Sequence, residues 1–154
     1  MGEIKLLNNI TKDVPQSKIE QYKLYVEMMD KISERRAATN SFFVALNTVV
    51  ITLFGILRNE NVKYNWLIIV GGLSISYIWG YTLKSYKLLN TGKFKVIHEM
   101  ELELHFNCYA YEWQILGNGK DKNKYLPISH VEKIVPIVFA VIYILAGIFM
   151  ILFA

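Results

Sequence analysis

Cysteine is almost missing from this chain, with one in 154 residues. The lone Cys108 cannot close an intramolecular disulfide, and no Cys/His cluster has zinc-finger spacing, so no metal or cofactor framework is expected. Proline is equally scarce, confined to Pro15, Pro127 and Pro136, which leaves long stretches free of a helix breaker. A strong excess of one charge is lacking too. The net charge of +4 from 17 basic and 13 acidic residues is too mild to indicate a nucleic-acid binder. Residues 1–12 lack the continuous apolar core of a secretory signal, so no cleavage is expected.

Charge is absent altogether from three stretches, Ser41 to Leu57, Tyr64 to Leu83 and Val135 to Ala154. Each is about the length a helix needs to cross a hydrocarbon core of roughly 30 Å. The fold class expected is all-α, an integral membrane protein with three transmembrane helices at 41–57, 64–83 and 130–154. A cytoplasmic N-terminal arm with an amphipathic helix (1–40) precedes them, and a helical cytoplasmic loop (84–129) joins the second and third. Basic residues near the span ends, Arg35, Arg36, Lys84, Lys87 and Lys133, outnumber Arg58 and Lys63 on the short connection, which places the arm and the long loop in the cytoplasm.

The first span should continue a helix that begins after Pro15, because nothing between Gln16 and Phe42 is Gly or Pro. Its soluble part carries Ile19, Tyr22, Tyr25, Val26, Met29 and Ile32 on one side, a face that needs a partner, either the protein's own loop, another subunit or a sensed partner. In the loop, Asn90-Thr91-Gly92 offers a break, after which Phe94, Ile97, Glu101 and Leu104 share a helix face. Tyr109, Tyr111 and Trp113 follow, and residues 117–124 read as a solvated turn. Ser129 with Glu132 three residues later forms a capping box for the third span, just past Pro127.

Polar residues inside the spans demand an explanation. Asn47, with Thr48 and Thr52, is either interhelical glue or a pore-lining position. Thr can satisfy its hydroxyl on its own helix, so Asn47 is the informative one. Gly72, Ser76 and Gly80, four apart, form a small-residue seam for close helix packing, within one subunit or between subunits. His98, Glu101 and His105 would share a face of a helix, but their spacing is not a zincin motif and a solvated charged face explains them. No nucleophile lies in a recognisable setting, and enzymatic activity is not expected.

The run from Tyr25 to Arg36, then Asn40-Ser41-Phe42-Phe43, resembles the RipA family of octameric membrane proteins. The likeness extends through Trp79, Ser85-Tyr86, Leu89-Asn90, Lys93 to Glu99, Glu112-Trp113 and Ser129 to Lys133. The general plan is similar to that of SLATT proteins, small membrane effectors of bacterial conflict systems. The resemblance implies a homo-oligomeric ring, an octamer, in the bacterial inner membrane, a phage-defence effector that permeabilises the bilayer on a cytoplasmic trigger. The alternative is a non-conducting scaffold that docks a phage or host cytoplasmic protein. Tyr22, Tyr25, Met29, Ile32, His98, Glu99 and Trp113 are the candidates for cytoplasmic interaction. Where the resemblance implies a Pro-containing turn, this chain has Leu102-Glu103-Leu104-His105.

Overall fold

The computed structural model describes residues 4–10, 13–57 and 62–153, without the side chains of 62–64, 129, 130 and 153. Helix α1 spans Gln16–Leu57 and α2 spans Val62–Glu101. A short α3, Cys108–Ile115, leads through a tight turn at Gly117–Gly119 to α4, Ile128–Glu132, and α5, Ile134–Phe153. Three of these helices are long and apolar enough to cross a membrane, with α5 the most apolar at a mean hydropathy of 2.8. Among the described residues the only extended pairing is an isolated bridge, Leu7 with Phe106. The fold is therefore that of an all-α membrane protein. The short connection at 58–61 lies outside the described residues.

Two compact units make up the chain. The first comprises Met1–Glu34 and Tyr86–Pro127, the second Arg35–Ser85 and Ile128–Ala154. The second holds the apolar stretches of α1 and α2 together with α5, and outward-facing Leu67, Ile137, Leu145 and Ile151 supply a lipophilic surface.

Helix α1 starts where Pro15 ends the preceding segment, and the Pro15 carbonyl accepts the Lys18 backbone N–H at 3.0 Å. It then runs unbroken into the first apolar stretch. The break expected at Asn90-Thr91-Gly92 does not occur, because α2 continues through these residues to Glu101. A mid-helix glycine costs only about 1 kcal/mol, while Lys93, Ile97 and Glu101, four apart, are all buried on one face of the continuing helix. That packing outweighs the local preference. Helix α2 ends in a turn of i to i−3 bonds from Leu102, Glu103 and Leu104, and achieves the reversal without proline.

The last helical region also departs from expectation. Helix α4 begins at Ile128, so Ser129 stands inside it and not at its cap, and the helix is interrupted at Lys133 before α5 resumes. Pro136 supplies the reason, since it offers no N–H to the Glu132 carbonyl and its ring would crowd that carbonyl. The Ser129 side chain lies outside the described residues.

Candidate functional site

Each unit is organised around a buried polar node. In the second unit the node is Asn47, 0% exposed. Its Nδ2 donates to the Phe43 carbonyl at 2.9 Å, as a residue four positions further along a helix can. That leaves Oδ1 to accept from the other two helices, from the Tyr143 hydroxyl at 3.1 Å and the Ser76 hydroxyl at 3.3 Å. Tyr143 also reaches the Asn47 carbonyl at 3.3 Å. The phenol can approach because Gly72 faces it, and a Cβ on Gly72 would lie inside the Tyr143 ring. The amide and two hydroxyls thus join α1, α2 and α5 without a formal charge, the form of polar contact that costs least in hydrocarbon.

A second level of the same unit is aromatic. The Trp79 indole N–H donates to Asn40 Oδ1 at 2.7 Å, its ring stacks on Phe43 with centroids 5.7 Å apart, and Phe139 of α5 closes the other side. Beyond it, Arg36 Nε lies 3.4 Å from a Glu132 carboxylate oxygen. The order from this ion pair to Asn47 runs from charged to neutral.

The sequence candidates divide accordingly. Asn47 is interhelical glue inside the protomer, whereas Thr48 and Thr52 are exposed and donate to the Val44 and Thr48 carbonyls of their own helix at 2.8 and 2.9 Å. Of the Gly72/Ser76/Gly80 seam, Gly72 and Ser76 pack within the protomer, but a Cβ on Gly80 would meet nothing within 4 Å. Arg36 and Asn40 entered the sequence reading only as a topology charge and as part of a family motif, and Tyr143 not at all. A tyrosine inside the lipophilic third span was the available signal.

In the first unit the node is Glu101, also 0% exposed. One carboxyl oxygen accepts from the Tyr22 hydroxyl at 3.0 Å and the Tyr109 backbone N–H at 2.8 Å, and the other accepts from the Ala110 N–H at 3.1 Å. Tyr109 and Ala110 open α3, whose first N–H groups have no helical acceptor, so a carboxylate there satisfies them and the helix dipole together. Burial, and then the negative charge and hydrogen bond of Glu101, push the Tyr22 phenol well above the ordinary tyrosine range. Tyr109 is also raised, first by burial and then by Asp30. Lys93, largely buried, places its ammonium 4.4 Å from the centre of the Tyr25 ring.

Asn8 belongs to the same node. Its amide donates to the Glu101 and Leu104 carbonyls at 2.8 and 2.7 Å, capping the end of α2, and pairs with the Asn107 amide. Asn8 lies in a segment without periodicity, and no sequence pattern pointed to it. Glu101 had a signal, a carboxylate on the same helix face as Phe94, Ile97 and Leu104.

Of the interaction candidates in this unit, Tyr22, Tyr25 and Met29 are used in internal packing, and Ile32 is half-buried. Glu99 stays exposed on a shallow groove with Lys18, Gln21, Val96 and Met100. Trp113, 39% exposed, packs edge-on to Tyr125 and covers Gly119, whose φ of +67° and close contact with the indole both require glycine. His98 sits beside Phe94 with Nε2 buried and without a hydrogen-bond partner among the described residues. His105 lies beyond the end of α2, so His98, Glu101 and His105 do not share a helix face. Among the described residues no cluster of His, Cys, Asp and Glu could hold a metal ion.

The chain matches the model of the octameric membrane protein family (8xMP) over residues 19–153. No curated protein and no solved structure matches it. The family match takes in the apolar stretches of all three long helices together with Asn47 and Glu101, and the chain belongs to this family of octameric, multi-pass membrane proteins.

Proposed function

We propose that this member of the octameric membrane protein family forms a ring in the bacterial inner membrane, N-terminus in the cytoplasm, and permeabilises that membrane in phage defence when a cytoplasmic trigger acts on it. The observation that carries the reading is the exposed side of α1 within its apolar stretch. Ser41, Ala45, Thr48, Thr52 and Gly55 recur there at spacings of three and four, all exposed in the protomer. Such a strip gives lipid little apolar area compared with α5, and an assembly that turns it away from lipid has hydroxyl-bearing walls available for water. Asn47 stays inside the protomer as a fixed hinge point, and Thr48 and Thr52 are the residues assigned to the wall that opens.

The test is ion flux through liposomes reconstituted with the full chain, alongside membrane-potential dye and growth after phage challenge of expressing cells. Wild type should depolarise the cells, and the Thr48→Val/Thr52→Val variant, which keeps the size of both side chains and removes their hydroxyls, should conduct several-fold less while remaining octameric. Intact potential in challenged wild-type cells, with background flux in liposomes, sinks the pore.

A scaffold function is favoured by one different observation. Thr48 and Thr52 already spend their hydroxyl protons on their own helix, while the groove at Lys18, Gln21 and Glu99 offers charged groups at a water-exposed surface. In that case a stable complex with a cytoplasmic protein forms with no change in membrane potential.

A further inference from the structure

Tyr77 and Tyr81 are 76% and 68% exposed on α2, inside its apolar stretch. They lie on the side of the helix opposite buried Ser76 and Trp79, and their hydroxyls have no hydrogen-bond partner among the described residues. A phenol facing hydrocarbon forfeits its hydrogen bond, so Tyr77, about two turns inside Lys84, would be an uncommon lipid surface, while Tyr81 stands near the headgroups. Trp66, Val70 and Ser74 continue the same face and are exposed as well.

The contacts inside the second unit fix the heights of these residues against α1. Asn47 meets Ser76 and Asn40 meets Trp79 across antiparallel helices. To within half a turn, Tyr81 therefore stands at the height of Ser41, Tyr77 at that of Ala45, Ser74 at that of Thr48, Val70 at that of Thr52, and Trp66 at that of Gly55. Every large side chain on the α2 face has a small residue at its height on the exposed strip of α1, and Ser74 has a hydroxyl.

A closed cyclic ring requires two different faces on each protomer, one fitting the other, and keeps all protomers at one height. We infer that the tyrosine face of α2 docks into the small-residue strip of α1 on the next copy of this chain. Tyr77 then fills the space over Ala45 and Tyr81 sets its hydroxyl against Ser41. Small residues permit the close backbone approach on which association in lipid depends. The inference rests on the ring assembly proposed for this chain and not on conduction. Separation of this seam would bring Thr48 and Thr52 to water.

Disulfide crosslinking in native membranes tests it, in the full chain carrying Cys108→Ser. A disulfide needs Cα atoms within about 7 Å. The pair Ala45→Cys with Tyr77→Cys should give a ladder of crosslinked species up to the octamer, and either substitution alone should give none. Independently, Ala45→Phe should remove the octamer peak in mild detergent, and adding Tyr77→Ala should restore it. An octamer that assembles without crosslinking the pair overturns the interface and leaves the ring standing. Dimers from Tyr77→Cys alone mean that tyrosine faces meet each other, which also overturns it. A Cys108→Ser parent that is monomeric in membranes overturns both the ring and the interface.

Discussion

The two units solve one problem, joining three helical segments through a buried polar atom, with different chemistry. Around Glu101 a carboxylate collects three donors, two of them the unpaired N–H groups that open α3. Around Asn47 a neutral amide collects two hydroxyls, and the helix carbonyl of Phe43 absorbs its own N–H. The difference follows the solvent. A carboxylate is expensive in hydrocarbon even when paired, and buried Glu101 offsets its desolvation with three hydrogen bonds and the N-terminus of α3. An amide with two hydroxyls leaves no net charge to desolvate, and so it can sit within a span. The one ion pair of the second unit among the described residues, Arg36 with Glu132, joins segments that flank the apolar stretches.

The sharpest way to break this comparison is to remove each node. Glu101→Ala leaves the Tyr22 hydroxyl and two backbone N–H groups buried without an acceptor, and should destabilise the first unit by roughly 3–5 kcal/mol. Hydrogen exchange of α3 reads the loss. Glu101→Gln should recover only part of it, and a glutamine equal to wild type would show that charge has no role there. In the second unit, Gly72→Leu drives a side chain into the Tyr143 ring and should cost roughly 1–3 kcal/mol by detergent unfolding. Tyr143→Phe keeps the ring and removes only the hydroxyl, at about 1 kcal/mol.

The smallest effect is one of pH. The folded-state pKa of Tyr22 is raised, so the unfolded chain ionises its phenol first, near the ordinary tyrosine value of about 10. Stability of the first unit is complete below that value and falls as pH rises above it. Near-UV circular dichroism should show the decline beginning there and Tyr22→Phe flattening it, with a residual slope from Tyr109. An unchanged decline in Tyr22→Phe would transfer the effect to other groups.

The sequence read most clearly where the physics is one-dimensional. Three uncharged stretches and an α1 that runs unbroken from Gln16 into the first of them, with no Gly or Pro before Phe42, followed from hydropathy and backbone stereochemistry alone. The family was visible as well, because its motifs lie in contiguous runs. Gly92 misled, since a local breaker competes with burial of Lys93, Ile97 and Glu101 that only the folded unit reveals. Ser129 misled in a related way, because Pro136, seven residues on, decides where the helix is interrupted.

What the sequence by itself determined is where this protein resides and how many helices are apolar enough to cross the membrane, because transfer into hydrocarbon sums over a contiguous segment. It also marked Asn47 as a polar residue in need of an explanation, whereas Glu101, read from sequence as part of a solvated charged face, is fully buried in the structure. Only the tertiary structure decided which partners satisfy them, Tyr143 and Ser76 in one unit, Tyr22 and the start of α3 in the other. Those hydrogen bonds join residues 29 to 96 positions apart in the second unit and 8 to 79 in the first. No local pattern encodes such pairs, since their geometry exists only once helix register is set.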